Sequence, residues 1–227
     1  MTQEKITKFT KALAAFLLCL SLFAFSACSP APIQKNDGTP KKLTQEELKS
    51  LTDKANQLLA DKKSPFAAKL EIFTKLKDGD QWDSDIAKKL RTSMHEEIQI
   101  LSSLGDKKKA YDLAESIFKV LSDMTNGKIL GELCKDLAKK ALSEKNYTDA
   151  NQYSSRALQL FWDEDAMALK LQADIASMEE NINKNNLTEA KKYYAEIMDV
   201  TSLKGNEALA AKYRASAEKY ADKFPKK

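Results

Sequence analysis

Glycine, proline, cysteine and histidine are all scarce in this 227-residue chain, with six, five, three and one respectively. A single histidine, His95, excludes any metal site built on two imidazoles and leaves one candidate general base of that type. Its neighbours Glu96 and Glu97 supply half of a zinc-protease pattern, but no second histidine stands four residues on, and the spacing puts His95 on the polar side of a helix. There is no glycine-rich phosphate loop and no nucleophile elbow. Sustained strand alternation is absent, and after Pro40 helix breakers nearly vanish while Ala, Leu, Lys and Glu abound, which predicts an all-α chain. Neither sign of charge dominates: 37 basic against 33 acidic side chains give +4. Beyond ordinary lysine pairs and the run Lys107-Lys108-Lys109 there is no basic block, so nucleic acid is not an expected partner. No cofactor, metal or catalytic residue is expected, and the chain is not read as an enzyme.

The amino terminus is the exception to this even composition. Lys5, Lys8 and Lys11 precede an uncharged run from Ala12 to Phe25, about 14 residues long and short of the ~20 needed to span a bilayer. Basic segment, short apolar segment and small exit residues predict a cleaved secretory signal over residues 1–27. The exit Phe25-Ser26-Ala27-Cys28 resembles the lipobox of bacterial lipoproteins, with Phe25 where Leu is usual. That resemblance implies a diacylglycerol on the Cys28 thiol, cleavage before Cys28 and acylation of the new amine. Two acyl chains hold a protein stably on a membrane. Ordinary secretion, with Cys28 a chance residue, is the alternative. Residues 28–43 hold Pro30, Pro32 and Pro40 and little apolar mass, so they are expected to form a lipidated, flexible tether. Ser29 stands where an Asp would retain the enterobacterial lipoproteins in the inner membrane; this favours the outer membrane, periplasmic side, in a Gram-negative cell.

Removing 27 residues from 227 leaves 200, and removing three lysines and Glu4 leaves a net charge of 4 − 2 = +2. With Cys19 in the signal and Cys28 acylated, Cys134 has no partner for a disulfide and reads as a small core residue.

Thr44-Gln45-Glu46-Glu47 is a capping box that opens a helix over 45–61, and Ser64-Pro65 opens a second that ends at Asp78-Gly79. Further helices are expected from Asp83 or Ser84 to Gly105, over 107–123 with a stop at Asn126-Gly127, over 129–144, over 147–161, from Asp163 or Glu164, over 187–200, and after Gly205-Asn206. The predicted domain, 44–227, divides into an N-terminal helix pair (44–84), repeats of about forty residues (85–204) and a C-terminal capping helix (205–227).

The repeat rests on Gly105 to Ala110, Lys145 to Ala150 and Asn185 to Ala190, each a polar turn before a helix, with alanines forty apart. The same offset aligns Leu113 with Tyr153 and Tyr193, Ile117 with Ala157 and Ile197, and Phe118 with Leu158 and Met198. Tyr147, Ala150, Ala157 and Leu158 resemble the second helix of a tetratricopeptide repeat, and Leu137, Ala138 and Ala141 its first. The period is forty instead of thirty-four; no first-helix Trp or Leu-Gly pair is found, and no proline closes each unit. The resemblance implies antiparallel hairpins stacked as a short solenoid; an irregular helical bundle is the alternative.

Trp82, Tyr153, Trp162, Tyr193 and Tyr194 are candidate lining for a partner groove, or packing between hairpins. The expected role is a membrane-anchored adaptor that binds an envelope protein or peptide in assembly, secretion or a pilotin-like task, a fold-level analogy. A cell-wall enzyme using Glu97, or a small-ligand-binding lipoprotein, are the alternatives. Replacing the anchor residue by Cys28→Ala is expected to release the protein from the membrane fraction or to stall its processing; unchanged fractionation would rule out the lipid anchor.

Overall fold

The computed structural model describes residues 42–199 and 207–224. The expected signal, Cys28, the tether up to residue 41, the turn at Gly205-Asn206 and residues 225–227 lie outside the described residues.

The first helix, α1 (Gln45–Ala60), begins at its capping box: the Glu47 amide donates to Thr44 Oγ1 at 3.1 Å and the Thr44 amide to Glu47 Oε2 at 2.8 Å. After Pro65, α2 (Phe66–Asp78) starts without a side-chain cap and ends at Gly79. A Cβ on Gly79 would collide with the Leu43 side chain, so only glycine lets Leu43 seat on this helix end. There follow α3 (Asp85–Ser103), α4 (Lys107–Val120), α5 (Met124–Ser143), α6 (Tyr147–Leu160), α7 (Glu164–Asn183), α8 (Leu187–Met198) and α9 (Glu207–Glu218), then a short 3-10 turn, Ala221–Lys223. The chain is all-α; no strand occurs among the described residues. Sequence neighbours from α1 to α9 pack on one another, α1 also touches α3, α2 touches α4, α5 touches α7, and α9 touches α7.

The forty-residue offset is present in the backbone. Helices α4 and α6 begin and end forty apart, and so do α5 and α7. Between paired helices, Gly105, Lys145 and Asn185 each take positive φ, at 88°, 60° and 57°. Their successors Asp106, Asn146 and Asn186 donate backbone amides to Leu101, Ala141 and Asn181 carbonyls at 3.0, 2.8 and 2.8 Å, which closes each helix end in the same way. Ala110, Ala150 and Ala190 are wholly buried, as are Ile117, Ala157 and Ile197 to within 2%. The order of buried, half-buried and exposed residues over 111–120 repeats without change over 151–160. An alanine at these positions has no bulk beyond its methyl, so the paired helix can lie directly against it.

Two details differ from the sequence expectation. Asn126-Gly127 does not stop a helix: α4 ends at Val120, and both residues belong to the start of α5. The reason is polar satisfaction. Asp123 Oδ1 accepts the Asn126 amide at 2.8 Å, while the buried Asn126 side chain donates Nδ2 to the Leu121 carbonyl at 2.7 Å. Asn126 therefore fastens the short connection from inside the helix. A Leu-Gly pair, Leu130-Gly131, also stands in α5. The Phe161 ring lies where a Gly131 Cβ would stand, so the end of α6 rests on the bare backbone of α5.

Successive units are also joined by aspartates at equivalent places. Asp123 and Asp163, forty apart, cap α5 and α7 with Oδ1 and use Oδ2 to hold a cation from an earlier helix. Arg91 of α3 donates to Asp123 at 2.8 Å and Lys135 of α5 donates to Asp163 at 2.6 Å. Burial alone would raise the Asp163 pKa, but Lys135 and the amides of Ala166 and Asp165 outweigh it and hold this carboxyl below its ordinary value. The Lys135 side chain is only 8% exposed, and its Nζ also reaches the exposed carboxylate of Glu132 at 2.8 Å, so two acids share this cation. Asp163→Ala is expected to lose about 1 kcal/mol, from the cap and one of the two carboxylates that hold Lys135, and to lower the melting temperature by roughly 2–4 °C. Thermal unfolding at neutral pH measures it, and an unshifted midpoint would show that this bridge contributes nothing.

Candidate functional site

The five aromatic residues singled out in the sequence fall in two kinds of environment. Trp82 and Trp162 stand just before α3 and α7 and are exposed, at 42% and 55%. Tyr153 of α6 is half-buried and meets Tyr111 of α4 edge-on, with centroids 5.5 Å apart and Lys108 Nζ over both rings. Tyr193 and Tyr194 of α8 pack on the cluster formed by α7, α8 and α9, where Tyr194 lies 4.8 Å from the Phe224 ring. The three tyrosines thus fill space between helices and the two tryptophans do not. None of the five lines either of two larger hollows.

The smaller hollow, about 550 Å³, lies between the start of α1 and the end of α2 and includes Leu43, Leu51 and Gly79. The larger, about 970 Å³, is a trough between the α1–α2 connection and α3. Lys62, Lys63, Lys69, Lys88 and Lys89 line it, with Asp61, Glu96 and Glu97. Sequence reading missed this cluster because it treated Lys62-Lys63 and Lys88-Lys89 as ordinary surface pairs. The signal that was available is their position on either side of one helical hairpin.

Lys69 is buried to 5% exposure, with its stem in the base of the trough and its Nζ 3.3 Å from Glu97. Glu97, the acid on which an enzymatic reading leaned, is therefore engaged in holding a buried lysine. His95 is not a free surface group either: it is half-buried, and its Nε2 lies 2.7 Å from Asn126 Oδ1. Because Asn126 Nδ2 donates elsewhere, Oδ1 must accept, and Nε2 carries the proton. Burial lowers the imidazole pKa, with the Asn126 bond opposing, so the ring is neutral at pH 7.

Asp174 of α7 is the most deeply buried carboxylate among the described residues, its side chain 3% exposed. Lys170 Nζ donates to both of its oxygens, at 2.5 and 2.6 Å, and also reaches Glu196 of α8 at 3.2 Å. Burial pushes the Asp174 carboxyl up to about 6, against the pull of Lys170 and with a further push from Glu196. Nearby, Asn151 donates to Ser177 Oγ at 2.9 Å and leaves its own Oδ1 buried without a partner. Cys134 is buried in α5, and desolvation raises its thiol to about 12, so it stays protonated. Among the described residues no group of three or more His, Cys, Asp or Glu is placed to hold a metal ion, and no helix is long and apolar enough to cross a membrane.

No protein-family model matches the chain, and no curated protein or solved structure matches it significantly.

Asp174 gives the domain a pH signature. Its folded pKa lies above the unfolded value, so the folded state binds the proton more tightly, and this contribution to stability is lost as pH rises from about 4 to about 6. Asp174→Asn is expected to flatten that slope and, at pH 7, to equal or exceed the parent in stability by on the order of 2 kcal/mol. Urea unfolding from pH 4 to pH 7 measures it, and a variant weaker than the parent at pH 7 would show that the Lys170 pair outweighs burial.

Proposed function

We propose that this protein is a lipid-anchored adaptor of the bacterial envelope, held on a membrane through Cys28 and presenting a short tetratricopeptide-like array of helical hairpins to a protein or peptide partner. The observation that carries the helical half of the reading is the recurrence, at forty residues, of left-handed turn, buried alanine and burial order. Arrays of this kind bury a continuous core between repeats and leave long faces for binding. The anchored half rests on Phe25-Ser26-Ala27-Cys28 and on the proline-bearing stretch after it, which supplies reach between membrane and domain. In the same reading α1 and α2 are an N-terminal pair, and α9, with buried Ala210, Tyr213 and Ala217, caps the last apolar face.

Crosslinking in living cells followed by purification of the full-length lipoprotein tests the reading. The expected outcome is one recurrent envelope protein, captured from the membrane fraction and lost with Cys28→Ala. A lipoprotein that returns alone, as a monomer, in repeated experiments would overturn it.

A further inference from the structure

The trough between the α1–α2 connection and α3 has charge, apolar surface and hydroxyls in one place. We propose that it receives an extended acidic segment of a partner protein, an inference that rests on the adaptor reading and adds the partner's chemistry. Five lysines against Asp61, Glu96 and Glu97 give its lining 5 − 3 = +2, although the chain is otherwise almost balanced. Two of the lysines are already neutralised, Lys69 by Glu97 at 3.3 Å and Lys88 by Asp83 at 3.0 Å. Lys62, Lys63 and Lys89 are exposed and make no ion pair among the described residues. Three cations without an ion pair stand around one hollow and are available to an incoming carboxylate.

The floor narrows the choice of occupant. Leu58, Leu59 and Ile100 give it an apolar strip, and Ile100 is 58% exposed. Thr92 and Ser93 of α3 add hydroxyls along the same wall. At about 970 Å³ the trough is at the upper end of the small-molecule range, and its lining comes from three helices and the connection between two of them. A chain that alternates acidic and apolar residues would use both parts of this lining: carboxylates at the lysines, aliphatic side chains on the strip. A lone phosphate or lipid headgroup would leave the strip unused. Helix α2 also opens here without a side-chain cap, so the positive end of its dipole adds to the lysines.

Full-length lipoprotein in detergent, titrated into a fluorescein-labelled peptide of alternating Glu and Leu, tests this by fluorescence anisotropy. The peptide is expected to bind, less well as salt rises from about 50 mM to about 300 mM. The triple variant Lys62→Glu, Lys63→Glu, Lys89→Glu should bind roughly tenfold more weakly or worse. Its helicity should be unchanged, because all three side chains are exposed. Reversal of Lys119, Lys139 and Lys191, exposed and away from the trough, should change binding by less than about twofold. No binding by the parent protein, equal losses in the two triple variants, or equal binding of a Lys-Leu peptide would each overturn the proposal. So would a triple reversal that abolished binding to phosphatidylglycerol vesicles while sparing the peptide. Photo-crosslinking in cells separates this inference from the reading beneath it, with the probe at Ser93 in the trough or at exposed Gln152 on α6. A partner captured at Gln152 and never at Ser93 overturns the trough alone; capture at neither position removes the adaptor reading too.

Discussion

The repeating part of this domain depends on how closely two helices can approach at a fixed place. At Ala110, Ala150 and Ala190 no water reaches the side chain, and anything larger would separate the helices that meet there. That contact sets the distance between paired helices, and the left-handed residue five positions earlier sets the turn that brings the pair together. Only Gly105 adopts its conformation without cost; Lys145 and Asn185 each carry about 1 kcal/mol of backbone strain that the buried alanine contact must offset. The remaining connections follow from this spacing. Asp123 and Asp163 can cap one helix and hold a cation from an earlier one only because both helices stand at a fixed distance.

Much of this was legible in the sequence because it is written locally. Thr44 and Glu47 sit three apart on one turn, the polar turns recur at one offset, and apolar stripes of period 3.6 need no knowledge of partners. What was not legible depends on contacts across the fold. Asn126-Gly127 has the composition of a stop, and the residues that keep it helical, Asp123 and Leu121, are chosen by the burial of Asn126. Leu130-Gly131 has no local mark in the sequence, and the role of Gly131 appears only when Phe161 is placed against it. The trough lysines come from the α1–α2 connection, α2 and α3, and their sequence neighbours look like those of any solvated pair.

Ionic groups divide by position in a way that bears on function. Lysines and arginines between helices are engaged: Arg91 with Asp123, Lys135 with Asp163, Arg156 with Glu115 and Lys170 with Glu196. Several of these pairs are less than one-third exposed, where a lost partner costs more than the pair itself gains. Such charges fix which helix faces which, and they are not free to serve a ligand. Charges that remain available are those at the edges of the packing, Lys62 and Lys63 of the α1–α2 connection among them.

The burial of Cys134 has a practical meaning. In a processed and acylated chain it would be the one free thiol, and its position in α5, at 0% exposure, keeps reagents away while the helices stay together. A thiol probe can react only in the moments when this part of the core is open. The labelling rate would therefore act as a clock for the breathing of the domain, with no need to introduce a reporter.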